Sequence, residues 1–121
     1  MKKMYIFVFG NDRFPTESVV GLTSSLKELL SQINAGGGTW KPLCRFEVYE
    51  EHSINDFNYV FRLMGKINKK KYPLNTFGVE LPGEKTQQFF EKIAEGTQTP
   101  LQYCLVDENG ESLTEYLLKD A

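Results

Sequence analysis

Met4-Tyr5-Ile6-Phe7-Val8-Phe9, closed by Gly10-Asn11-Asp12, decides the fold. Six consecutive apolar, aromatic or β-branched residues with no polar alternate cannot lie half in water. A run this short, ended by turn formers, reads as a strand covered on both faces, in the middle of a sheet. Lys2 and Lys3 precede it, but six apolar residues are too few for the apolar region of a secretory leader, and no small-residue cleavage site follows. The longest apolar stretch is also far short of the roughly 20 residues that a membrane helix needs. The expectation is a cytoplasmic protein with no membrane association.

The rest of the composition agrees with one compact unit. The chain has 121 residues, with 14 Lys and Arg against 16 Asp and Glu, a formal charge of -2. That length suits one domain over residues 1–121, able to bury roughly 65 per cent of its extended surface. Nine Phe, six Tyr and one Trp supply bulky core material. Cys44 and Cys104 each sit in an apolar-alternating segment and read as small buried side chains rather than a disulfide or metal pair.

Working outward from the first strand, Val19, Leu22, Leu26, Leu29 and Ile33 recur at steps of three and four, predicting a helix that begins at Thr16 with Glu17 in its first turn and stops at Asn34 and Gly36. Leu43 to Glu51 alternates, with Cys44, Phe46 and Val48 on the core face and Arg45, Glu47 and Tyr49 on the other. Ser53 to Asn68 carries two periods at once. As a helix it places Ile54, Phe57, Phe61 and Met64 in a stripe; as a strand it alternates Phe57, Tyr59, Phe61 and Leu63 with polar or smaller residues. The aromatic and β-branched run Tyr59-Val60-Phe61 favours the strand. Thr76 to Leu81 is a strand, Glu84 to Glu95 a helix facing inward through Phe89, Phe90 and Ile93, and Leu101 to Val106 a strand. Asn109-Gly110 signals a hairpin turn, but Ser112 and Glu115 form a capping box for a final helix bearing Leu113, Tyr116 and Leu117, which needs no further sheet partner.

The resulting class is α+β: an antiparallel sheet of four to five strands with helices packed on it, in the ferredoxin-like order βαββαβ with an extra C-terminal helix. Such an order hosts many activities and assigns none.

Little in the chain has the chemistry of an enzyme. His52 is the only histidine; Glu50, Glu51 and Asp56 lie near it, but no nucleophile or oxyanion donor accompanies them. There is no HExxH or CxxC pair for zinc, no calcium loop in Asp107 to Glu111, and no cofactor motif. Gly10-Asn11-Asp12-Arg13 is expected to join the first strand to the first helix, where free N–H groups and Arg13 would meet an anion, though without a phosphate-loop pattern. With neither catalytic group nor cofactor motif, surface recognition is the leading expectation. The chain reads as a non-catalytic protein-binding domain, such as an immunity protein, antitoxin or inhibitor, that meets a basic protein partner through Glu47, Tyr49, Glu50, Glu51, Asp56, Phe57 and Tyr59, aromatic anchors within an acidic rim. The alternative is a nucleic-acid or nucleotide-binding domain: Arg62, Lys66, Lys69, Lys70 and Lys71 follow one another without an acid and end at Tyr72, a candidate for phosphate contact and base stacking.

Overall fold

A computed structural model describes residues 2–64, 69–72, 76–96 and 102–112. Its elements are β1 (Lys3–Gly10), β2 (Ser18–Thr23), α1 (Leu26–Ile33), β3 (Lys41–Tyr49), α2 (Glu50–Leu63), β4 (Lys69–Tyr72), β5 (Thr76–Val79), α3 (Gly83–Gly96) and β6 (Gln102–Leu105). The six strands form one sheet in the order β4-β5-β2-β1-β3-β6, with every pairing antiparallel. The class is therefore α+β with an antiparallel sheet. The element order is ββαβαββαβ, which differs from the expected βαββαβ, and the sheet has one strand more than expected.

β1 lies inside the sheet, between β2 and β3, and Ile6, Phe7, Val8 and Phe9 are fully buried. Successive side chains of a strand point to opposite faces, so the run feeds two cores. Ile6 and Val8 join Val20, Cys44, Phe46, Val60 and Phe90 beneath α2 and α3, whereas Phe7 and Phe9 join Val19, Leu26 and Leu29 beneath α1. β3 alternates as its sequence indicates, with Cys44, Phe46 and Val48 in the first of these cores. Phe46 stacks on Phe90 of α3, ring centres 4.9 Å apart, and Ser18 bonds Thr86 across the same layer at 2.7 Å.

Three expectations are corrected. The helix expected from Thr16 is a strand over Ser18–Thr23, followed by a helix only from Leu26. Val19 and Val20 are adjacent and both buried, in different cores, which a strand between two layers allows and one face of a helix does not. The helix start is set instead by Ser25, whose hydroxyl accepts from the Glu28 N–H at 3.3 Å. Its end is closed by Asn34, whose amide brackets Trp40, accepting from its N–H at 2.8 Å and donating to its carbonyl at 2.9 Å, around a turn in which Gly36 and Gly37 hold positive φ.

Of the segment 53–68, expected as a hairpin loop over 53–56 and then a strand, residues 53–63 belong to α2 and 65–68 lie outside the described residues. Ser53, Val60 and Met64 are buried, and Phe57 packs beside them, a 4-3-4 spacing that presents one helical face to the sheet. Phe57 and Phe61 also close on Phe77 of β5, with centroids at 5.9 and 4.7 Å. The third correction concerns Gly10 to Arg13, which joins two strands, so no helix start stands there to receive an anion.

Asn109-Gly110 does make its turn. The Gly110 N–H reaches the Asp107 carbonyl at 3.0 Å, Gly110 has φ +80°, and Val106 bridges Ser112 antiparallel. The helix expected beyond Ser112 lies outside the described residues. Among the described residues no helix is long and apolar enough to cross a membrane.

Candidate functional site: an exposed stripe along α2

α2 follows β3 directly. Tyr49 is its N-cap residue and makes no side-chain capping bond, while the Glu50 N–H is held by the Lys2 carbonyl at 3.0 Å and the Ser53 hydroxyl donates to the Glu50 carbonyl at 2.8 Å. Glu50 and Glu51 occupy the first turn, where the helix dipole favours acids, and Arg62 the last, where it favours bases. Part of the charge pattern thus has a local helical reason.

Helical geometry divides α2 into two parallel stripes. The buried one is Ser53, Phe57, Val60 and Met64. Beside it, at steps of 3-4-3-4, run Tyr49, His52, Asp56, Tyr59 and Leu63, which face outward. Tyr49 is 52 per cent exposed, Tyr59 38 per cent and Leu63 42 per cent. Together with Ile54 on the other flank, they are four of the six large apolar side chains that stand exposed among the described residues. The Arg62 guanidinium lies 5.9 Å from the Tyr59 ring centre. Partial burial pushes the Asp56 carboxyl above its ordinary range, and the His52 charge opposes that shift.

Six of the seven residues expected at a protein contact lie on α2 and its cap, and five of them, Tyr49, Glu50, Glu51, Asp56 and Tyr59, stand outside the core. The other two turn inward. Phe57 turns into the core against Phe61 and Phe77. Glu47 lies on β3, its side chain 9 per cent exposed, bonded to Arg45 at 2.9 Å and Lys3 at 3.5 Å. The stripe residues that the residue-by-residue reading omitted from the contact are His52 and Leu63; the signal was the 3-4 spacing from Tyr49, hidden by reading the segment as a strand.

The basic residues lie on two elements. Arg62 ends α2, and Lys69, Lys70, Lys71 and Tyr72 form the edge strand β4, paired with Val79, Gly78, Phe77 and Thr76. A lysine run on an edge strand is a common guard against pairing with another chain. Lys66 lies outside the described residues. No cluster of three or more His, Cys, Asp or Glu side chains suited to a metal ion occurs among the described residues.

Comparison with protein-family models, with curated proteins and with solved structures finds no match to this chain.

Proposed function

We propose that this chain is a non-catalytic protein-binding domain, of the kind that inhibits or neutralises a partner, and that α2 is its contact element. The observation that carries the reading is the second stripe on α2. A helix already anchored by Phe57, Val60 and Met64 carries Tyr59 and Leu63, four positions apart, along another side together with its cap residue Tyr49, and leaves these apolar groups in water. Exposed single apolar residues need no explanation, whereas an ordered row flanked by charges is the pattern of a partner surface. A helix of the partner laid along the row fits its 3-4 spacing. Glu50 and Glu51 at one end favour a partner that is basic there, through steering more than affinity.

The test is site-specific photo-crosslinking in the source cell, with a photoreactive amino acid at position 59 and, as control, at Glu108 in the distant turn. A discrete adduct from position 59 alone supports the reading. Tyr59→Ala with Leu63→Ser should then weaken association with the captured partner by at least about tenfold, since exposed aromatic anchors commonly contribute 2 kcal/mol or more. Equal labelling from both positions, or none, overturns it. A labelled single-stranded oligonucleotide that binds with steep salt dependence would instead favour the lysine-rich alternative.

A further inference from the structure

The row of side chains that α2 leaves uncovered is complementary to a second copy of itself. Tyr49, His52, Asp56, Tyr59 and Leu63 make the stripe, and Glu51, Asn55 and Arg62 make an exposed polar line along its outer flank. We propose that two copies of this chain pair through α2, antiparallel about a two-fold axis level with Asp56. The pairing rests on the reading of α2 as a contact element and names what covers it when no other protein does.

A two-fold interface must be its own complement: off the axis, each residue meets a different one, which meets it in return. With the axis level with Asp56, Tyr49 comes level with Leu63 of the second copy and His52 with Tyr59, each twice, to within one residue's rise of about 1.5 Å. The flank closes in the same register. Glu51 and Arg62 are about three turns apart and so lie on one line of the helix. A two-fold axis in the contact plane keeps that line on the same side of both copies, and Glu51 of one comes level with Arg62 of the other, again twice. Neither makes an ion pair among the described residues of a single copy, and Arg62 already leans toward the stripe, its guanidinium 5.9 Å from the Tyr59 ring centre. Opposite charges flanking an apolar seam fix the orientation of paired helices. A parallel pair would set acid against acid and base against base, so charge selects the antiparallel one.

One residue works against the pairing. Asp56 meets its own copy at the axis, where two carboxylates repel, and the partial burial that already raises its carboxyl deepens with the contact. α2 has 14 residues and is about 21 Å long, so the seam is at the small end of interface sizes. The dimer is therefore transient, with a Kd on the order of 100 µM.

The experiment is sedimentation equilibrium of the full chain from about 10 µM to about 1 mM, at about pH 7.5 and low salt, which leaves surface charges unscreened. Self-association should appear, and Tyr59→Ala with Leu63→Ser should weaken it at least about tenfold. Glu51→Arg and Arg62→Glu should each weaken it about fivefold, because the axis repeats every change twice. Both changes in one chain, or a mixture of the two single variants, should restore it, and Asp56→Asn should strengthen it. A chain that stays monomeric throughout, or a double reversal of charge that restores nothing, overturns the pairing. Either result leaves intact the capture of a different protein from position 59, whereas an adduct of two copies of this chain alone supports the pairing and removes the inhibitory role.

Discussion

Arg45 lies with its guanidinium carbon 4.4 Å above the centre of the Tyr5 ring, and the same guanidinium ties β3 to the 107–111 turn through the Gly110 carbonyl. The pair sits on the face of the sheet that β3 was expected to turn to solvent. α1 and the turn cover it, so Arg45 is 4 per cent exposed and Glu47 follows it inward. An ion pair in such a place stabilises only while it is complete.

Arg45→Met should therefore destabilise by about 3–5 kcal/mol, mainly because Glu47 keeps its charge with Lys3 alone at 3.5 Å. Adding Glu47→Leu should recover most of the loss, since an apolar pair of similar volume is often neutral in such a site. Urea midpoints of the two single variants and the double variant measure this. Additive losses would show that the two residues are not coupled.

Aromatic packing should divide sharply between the core and the rim. Phe90 is fully buried and stacked on Phe46 at 4.9 Å, so Phe90→Ala should cost about 3–5 kcal/mol. Phe14 also stacks, on Trp40 at 5.9 Å, but is 49 per cent exposed. Phe14→Ala should cost about 1 kcal/mol, the scale of the ring pair alone. Thermal unfolding distinguishes the two, and equal losses would contradict this division.

The same contrast shows which parts of the fold are legible in the chain. β1 is readable because its burial follows from its own continuous apolar run, and of β3 the one face that holds Cys44, Phe46 and Val48 is readable from their alternation. β2 is not. Val19, Leu26, Leu29 and Ile33 do meet in one core, which is why their spacing resembles a helical face, but Val19 reaches it from a strand and the other three from α1. For residues 53–63 the two periods coincide in Phe57 and Phe61, and only contact with Phe77 on a distant strand decides between them. The burial of Arg45 has no local signal, since the group that covers it is 65 positions away. Of the candidate contact, the residue types around α2 are legible, but their alignment into one stripe is not.

Two glycines separate backbone preference from crowding. Gly36 and Gly110 hold nearly the same φ, +83° and +80°, yet a Cβ on Gly36 meets nothing within 4 Å, whereas one on Gly110 falls 2.7 Å from the Leu26 Cβ. Gly36→Ala should cost about 1–2 kcal/mol, the left-handed penalty alone. Gly110→Ala should cost about 1–3 kcal/mol more, because the turn must move off α1. Gly110→Ala should also disturb the amide resonances of Leu26 and Lys27, which Gly36→Ala should leave in place. Equal stabilities for the two variants would contradict the close approach of the turn to α1.

The two cysteines should differ in their reach by thiol reagents, and Cys44 should also show in the pH dependence of stability. Burial raises the Cys44 thiol well above its ordinary value of 9.0; a hydrogen bond from Tyr103 opposes this, and the Glu91 charge adds to it. The folded chain therefore keeps a proton that the unfolded chain gives up. The contribution is fully present below the ordinary thiol range and is lost as pH rises beyond it, at about 1.4 kcal/mol per pH unit while only the unfolded state titrates. Tyr103, also raised by burial, adds a second loss of the same sign beginning near its ordinary value of 10.0. In Cys44→Ala the thiol contribution vanishes, so the stability advantage of the natural chain over this variant should shrink from pH 8 to pH 10. At pH 8 a thiol reagent should modify partly exposed Cys104 readily and Cys44 only after urea is added. Equal modification rates in the native protein, or stability curves that run parallel through this range, would show that Cys44 is not sealed by Phe46 and its neighbours.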